Sequence, residues 1–287
     1  MKQIKERICI KGTRTDARFA GMIFSIMIFL QGCAVFKVDE GHFLNPDDPP
    51  VVETGVIPYF TVDRDDYRLA GFRLARPQSE GVILYLGGNN FRVHVSGGSI
   101  VRAFPDNMDI ILFDYPGYGH SEGTASTVSM LAAAVDIYDY ARDQDWLKDR
   151  PFIVYGFSLG GFIASHLAAE RSVDAVILEA TSPDVKTWAE SFVPVIARPF
   201  VNIEIADSIA YLDNAAALTR ANVPVLLLAG KKDKQSKPNL SRQLARKLRA
   251  EGIRVEHREF SGARHGEVME HLDFPGAFAD FASRLEP

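Results

Sequence analysis

Cysteine is close to absent from this chain, with only Cys9 and Cys33 in 287 residues. Two thiols make neither a multi-bridge framework nor a thiolate zinc site. Basic charge is not in excess either: 32 Lys and Arg face 37 Asp and Glu, a net −5. Such a surface is a poor match for phosphate backbones, so no nucleic-acid partner is expected. No cluster has metal-ligand spacing, no segment repeats and no tract is of low complexity. The apolar stretch at residues 19–30 has 12 residues, short of the ~20 that a membrane-spanning helix needs. What is present, 47% hydrophobic side chains with 22 glycines and 15 prolines, suits a globular body large enough for a full core.

Charge is unevenly distributed. Residues 1–32 hold Lys2, Lys5, Arg7, Lys11, Arg14 and Arg18 against Glu6 and Asp16, a local +4. A basic segment followed by a short apolar one is the order of a secretory leader. Leu30-Gln31-Gly32-Cys33 then resembles the lipobox of bacterial lipoprotein signal peptides; Leu30 and Gly32 match, and Gln31 departs from the usual small or aliphatic residue. The resemblance implies a signal peptide over residues 1–32, acylation of Cys33, and anchoring by lipid chains rather than by a span. With Ala34 where an inner-membrane retention signal carries aspartate, it further implies a bacterial envelope location at the periplasmic face of the outer membrane. Removing the leader leaves 26 basic against 35 acidic side chains, a net −9, so attachment would depend on lipid rather than charge. It also removes Cys9, which rules out an intramolecular disulfide. Residues 33–54, where Pro46, Pro49 and Pro50 lie among acids, read as an extended tether.

From residue 55 to 287 the pattern changes. Apolar runs without alternation occur at 82–86, 109–113, 152–155, 175–178 and 224–229, and residues 253–257 alternate. Runs buried on both faces belong to a parallel sheet. Between them, residues 127–144 place Leu131, Val135, Tyr138 and Ala141 on one helical face. Residues 159–170 and 237–251 read the same way, and 266–285 more weakly, broken at Pro275. The alternation predicts one α/β domain, a mostly parallel sheet covered by helices on both faces. Residues 181–222 interrupt it with prolines and aromatics and no clear strand, which predicts a small cap over the carboxyl ends of the strands.

The chemistry-bearing motif is Gly156-Phe157-Ser158-Leu159-Gly160, between a predicted strand and a predicted helix. A turn sharp enough to present Ser158 leaves no room for Cβ atoms two residues either side, and the helix start aims amides at charge developing near the serine. A nucleophilic serine needs a base, and the base an orienting acid. Of seven histidines, His265 is best placed, after the alternating run and before the last helix. His120 follows a Gly-rich turn, His166 is mid-helix, His257 lies in a strand, His271 in the last helix and His42 in the tether. Asp233, after the run at 224–229, is the candidate acid, and Asp184 is the fallback.

The order Ser158, Asp233, His265 and the segment Asp114-Tyr-Pro-Gly-Tyr-Gly-His-Ser-Glu-Gly123 together resemble the α/β-hydrolase superfamily, over roughly residues 55–285. Within it, the monoacylglycerol-lipase and serine-aminopeptidase-like branch is the nearer likeness. The resemblance implies the α/β-hydrolase fold, a structural role for the Asp114 turn, and an oxyanion hole. In this chain that hole would use the amides of Asn89, in Leu86-Gly87-Gly88-Asn89-Asn90, and of Leu159. Gly87 stands where the branch has histidine. The implied activity is a serine hydrolase cleaving a small or lipid-like carboxylic ester through an acyl-enzyme, with no cofactor or metal, working as a monomer. Peptidase or acyltransferase chemistry on the same fold remains open, as does a non-catalytic envelope lipoprotein that binds. Phe91, Trp188 and Phe192 are candidates for an apolar acyl pocket; Glu190, Glu204 and Asp207 are the acids available to hold a peptidase's substrate amine.

Overall fold

Runs of apolar residues that do not alternate can be satisfied only between two packed layers, and here they form one sheet. The computed structural model describes residues 34–46, 60–147 and 150–285. The expected leader, Cys33 and residues 47–54 of the expected tether lie outside the described residues. The first strand, β1 (Ala34–Val38), stands apart from the main sheet. The main sheet contains β2 (Phe60–Asp63), β3 (Arg68–Leu74), β4 (Gly81–Leu86), β5 (Met108–Phe113), β6 (Phe152–Phe157), β7 (Ala175–Glu179), β9 (Val225–Gly230) and β10 (Val255–Phe260). Its spatial order is β10-β9-β7-β6-β4-β5-β3-β2. Pairing is parallel from β10 to β5, and β3 and β2 add an antiparallel edge.

Every residue of β4, β5, β7 and β9 is buried. Alternate side chains of one strand enter different cores: Val82, Leu84 and Leu86 join one cluster, and Ile83 and Tyr85 the other. The first is closed by α2 (Thr127–Arg142), α3 (Leu159–Glu170), α6 (Asn214–Ala221) and α7 (Pro238–Ala250). The second is closed by α1 (Val93–Ala103) and α8 (Phe274–Ala282). Helices therefore cover both faces, as the alternation predicts. Pro275 starts α8 near its first turn rather than breaking a longer helix, because the first helical residues have no intrahelical acceptor for an N–H.

Two regions differ from the sequence reading. Residues 181–222 hold, besides α4 (Val185–Glu190), α5 (Asp207–Ala210) and α6, a strand β8 (Val201–Ile205) that the pattern did not reveal. Its partner is β1, in parallel register from Ala34 opposite Val201 to Val38 opposite Ile205. Two short strands far apart in sequence carry too few residues for periodicity to show. The second difference follows: residues 34–46, read as an extended tether, are folded onto the body. Phe43 is buried against Trp188 of α4, ring centroids 4.9 Å apart. Glu40 accepts hydrogen bonds from the Thr127 amide (2.8 Å) and hydroxyl (2.5 Å), serving the exposed amides at the start of α2. The Asn45 amide donates to the Tyr118 hydroxyl at 2.7 Å, and its side-chain nitrogen to Asn90 at 2.7 Å. Among the described residues no helix is long and apolar enough to cross a membrane.

Glu40→Ala leaves the start of α2 without its carboxylate partner. It should lower unfolding stability by about 1–2 kcal/mol, read from the urea midpoint at constant m-value.

Candidate active site

Ser158 lies between β6 and α3 as the helix's N-cap, with φ 54° and ψ −114°, a conformation unfavourable for a residue with a Cβ. Its surroundings hold it there. The Ser158 amide donates to the Glu179 carbonyl at 2.9 Å, while the Ser158 carbonyl accepts from Gly161 at 3.0 Å. A Cβ on Gly160 would lie 2.0 Å from the Leu86 carbonyl oxygen, and one on Gly156 would lie 2.4 Å from the Gly160 carbonyl oxygen. Glycine at both positions is therefore obligatory, and it lets α3 start directly beside the end of β4. The loop after β4 meets the serine there: a Cβ on Gly88 would be 3.4 Å from Ser158 Cβ.

That loop is braced from two sides. Asp114, fully buried at the end of β5, accepts from the Val93 amide at 2.8 Å and the His120 amide at 2.9 Å. Val93 opens α1, so this carboxylate fixes the helix start that follows the loop. Burial pushes the Asp114 carboxyl above the usual range, against the amide hydrogen bonds. On the other side, Tyr115 donates its hydroxyl to the Gly87 carbonyl at 3.1 Å. The Asp114 segment thus has the structural job that the resemblance implied.

His265 Nδ1 lies 2.8 Å from Asp233 Oδ2. Asp233 is buried in the turn after β9, and its other oxygen accepts from the Gln235 and Ser236 amides, both at 2.8 Å. Ser158 and His265 line one pocket, together with Asn89 and Leu159. Ser158, His265, Asn89 and Leu159 are therefore pocket residues, and Asp233 sits directly behind His265. Asp184 is elsewhere engaged: it caps α4, accepting from the Thr187 amide at 2.7 Å and its hydroxyl at 2.8 Å.

The apolar wall is made differently from the expectation. Trp188 lines the pocket with Phe43 and Phe162. Phe91 is instead buried in the second core, and Phe192 packs edge-on against Trp188 at 5.0 Å. His42, also in the wall, belongs to the segment read as a tether. Of the cap acids, Glu190 approaches Lys186 (4.0 Å) and Glu204 approaches Lys37 (3.9 Å), and none of the three lines the pocket. Among the described residues no group of His, Cys, Asp and Glu is arranged to hold a metal ion.

One buried group escaped the sequence reading. Glu179, the last residue of β7, is buried and accepts from the Tyr155 hydroxyl at 2.5 Å. Burial pushes its carboxyl up to about 7, although Tyr155 and nearby His265 pull the other way. The only sequence signal was an acid ending an apolar run.

A family model described as the alpha/beta hydrolase fold matches residues 82–200. Among curated proteins, the chain is 27% identical over 241 residues to the lysophosphatidylserine lipase ABHD12 of Macaca fascicularis, covering 74% of this chain and 58% of that one. It is 27% identical over 171 residues to protein bem46 of Schizosaccharomyces pombe, covering 55% and 52%. The chain thus spans about six-tenths or less of the length of these relatives. Among solved structures, the Pyrococcus furiosus esterase Pf2001 superposes with a TM-score of 0.62 at 16% identity, covering 85% of this chain and 97% of that one. Est1E of Butyrivibrio proteoclasticus with bound ferulic acid gives 0.60 at 16%, covering 78% and 100%.

A carboxyl whose folded pKa is raised from 4.5 to about 7 adds stability that is fully present below 4.5 and is lost as pH rises through about 7. Glu179→Gln keeps an acceptor for Tyr155 and cannot ionise. The stability of wild type relative to Glu179→Gln should therefore fall between pH 4.5 and 8, by up to about 3 kcal/mol in urea unfolding.

Proposed function

Because the chain has the α/β-hydrolase fold, we propose that it is a serine hydrolase cleaving a carboxylic ester through an acyl-enzyme. The observation that carries this reading is the His265–Asp233 hydrogen bond at 2.8 Å in a pocket shared with a serine on a strained strand-to-helix turn. In the proposed sequence His265 Nε2 takes the Ser158 proton as Oγ attacks the acyl carbonyl. Asp233 stays ionised; it fixes the tautomer with Nδ1 protonated and stabilises the imidazolium. The carbonyl oxygen, now negative, accepts from the Asn89 and Leu159 amides, the latter the first of α3 and so without an intrahelical acceptor. Collapse breaks the bond to the alcohol, which leaves with the proton from His265. Water, deprotonated by the same imidazole, then attacks the acyl-enzyme and releases the acid with Ser158 restored.

Substrate class follows from the wall. Phe43, Phe162 and Trp188 offer an aromatic surface to an acyl chain, and one relative is named as a lipase of a lysophospholipid. We infer a lipid-like ester with a single acyl chain as substrate. Among the described residues, none that line the pocket is an acid that could hold a substrate amine, which favours ester over aminopeptidase chemistry. Lipid attachment through Cys33, at the periplasmic face of the outer membrane, belongs to the same proposal and rests on the Leu30-Gln31-Gly32-Cys33 motif.

Ser158→Ala should abolish fluorophosphonate labelling and lower ester hydrolysis by about 10⁴-fold, with His265→Ala similar. Persistent labelling of Ser158→Ala would refute the assignment. Cys33→Ser should move the protein from the membrane pellet to the soluble periplasmic fraction, and unchanged pelleting would refute the anchor.

A further inference from the structure

Several large apolar side chains left in solvent gather in the cap. Val195, Ile196 and Phe200 are 76%, 86% and 67% exposed, and Val35 of β1 is 54% exposed. The register joins them. Ala34 lies opposite Val201 and Val35 opposite Asn202, so Phe200, one residue before β8, flanks the start of β1. Phe36, Ile203 and Ile205 point inward onto the core, while Val35 and Asn202 face out. Val195, Ile196 and Phe200 share a short 3-10 helix, Val195–Phe200, preceded by Pro194 and containing Pro199. Proline removes backbone freedom, so the turn presents its apolar side chains without first having to be ordered. Arg198 is the only basic residue of the turn, with an alkyl stem suited to lying along apolar surface while its head reaches polar groups.

The position of this ridge identifies its partner. Ala34, beside it, directly follows Cys33 and the apolar run 19–30 in sequence. The ridge and the expected point of membrane attachment therefore coincide. We propose that the ridge formed by Val35, Val195, Ile196 and Phe200 beds into the surface of the lipid bilayer and fixes how the domain sits on it. The contact is apolar rather than electrostatic, since the body carries net negative charge. It also sets the pocket close to the lipid. β1 spans about 17 Å, and the chain then turns through Glu40–His42 to Phe43 in the pocket wall. Delivery of a bilayer-borne ester to the pocket rests on the hydrolase reading above; docking itself does not.

The test uses the full-length protein reconstituted in phosphatidylethanolamine–phosphatidylglycerol vesicles whose acyl chains carry bromine, a short-range quencher of tryptophan. Ile196→Trp is compared with Glu251→Trp, an exposed position in the turn before β10, at the opposite ends of the strands from the pocket. Emission added at position 196 should be quenched at least about twofold, and that at 251 not at all. Equal quenching at both sites, or none at 196, would overturn the proposal. So would a blue shift at 196 without bromine quenching, the result if a second copy or residues 19–30 cover the ridge. In parallel, the double variant Ile196→Asp, Phe200→Asp should hydrolyse a vesicle-borne lysophospholipid about tenfold more slowly and a soluble nitrophenyl butyrate at the wild-type rate. Equal rates on both substrates, or equal loss on both, would argue against docking. If wild type cleaved neither ester, the hydrolase reading would fail and the quenching result would still decide the docking.

Discussion

The arrangement of the site depends on one close approach of backbone to backbone. Gly160 lies so near the Leu86 carbonyl that no side chain fits between them. That approach fuses the first turn of α3 with the end of β4, neighbours across the sheet because Leu86 pairs with Gly156. The rest follows geometrically. Ser158 must adopt a strained φ, the loop through Asn89 must pass beside it, and the first amides of α3 must face the same space. The strain at Ser158 is held by parallel strands on both sides, whose hydrogen bonds leave the turn no way to relax.

The parts legible in the sequence are those whose physics is local. β4, β5, β6, β7 and β9 announced themselves because both faces are buried. The sharp turn at Ser158 did so because it requires glycines at fixed offsets, and the closeness of His265 to Asp233 because both follow strands at the same edge of the sheet. Parts that depend on distant partners were not legible. β8 has five residues and exists because β1 lies beside it. The aromatic wall was only partly foreseen: Trp188 is there with Phe43 of the N-terminal segment and Phe162, whereas Phe91 is buried in the second core and Phe192 packs on Trp188. Glu179 shows a third kind of illegibility. Its residue type was plain, and its significance comes only from being buried beside Tyr155 and near His265.

Glu179 also bears on how the site tolerates charge. Asp233 accepts three hydrogen bonds, whereas Glu179, on the neighbouring strand, is buried with the Tyr155 hydroxyl on one oxygen. The fold has thus placed two carboxyls near one imidazole and treated them differently: one accepts three hydrogen bonds, and burial resists charge on the other.

The parallel pairing of β1 with β8 joins positions 167 residues apart, from Ala34 to Val201. The first described segment of the chain to be synthesised is therefore among the last able to find its place, since β1 has no partner until the cap has been made. Closing so long a loop is slow compared with forming the local contacts of α2 or α3. A chain interrupted anywhere before residue 201 could already contain Ser158 and its turn, yet it would lack Asp233, His265 and the β8 strand that docks the segment leading to Phe43. Assembly of the pocket is thereby tied to completion of the polypeptide.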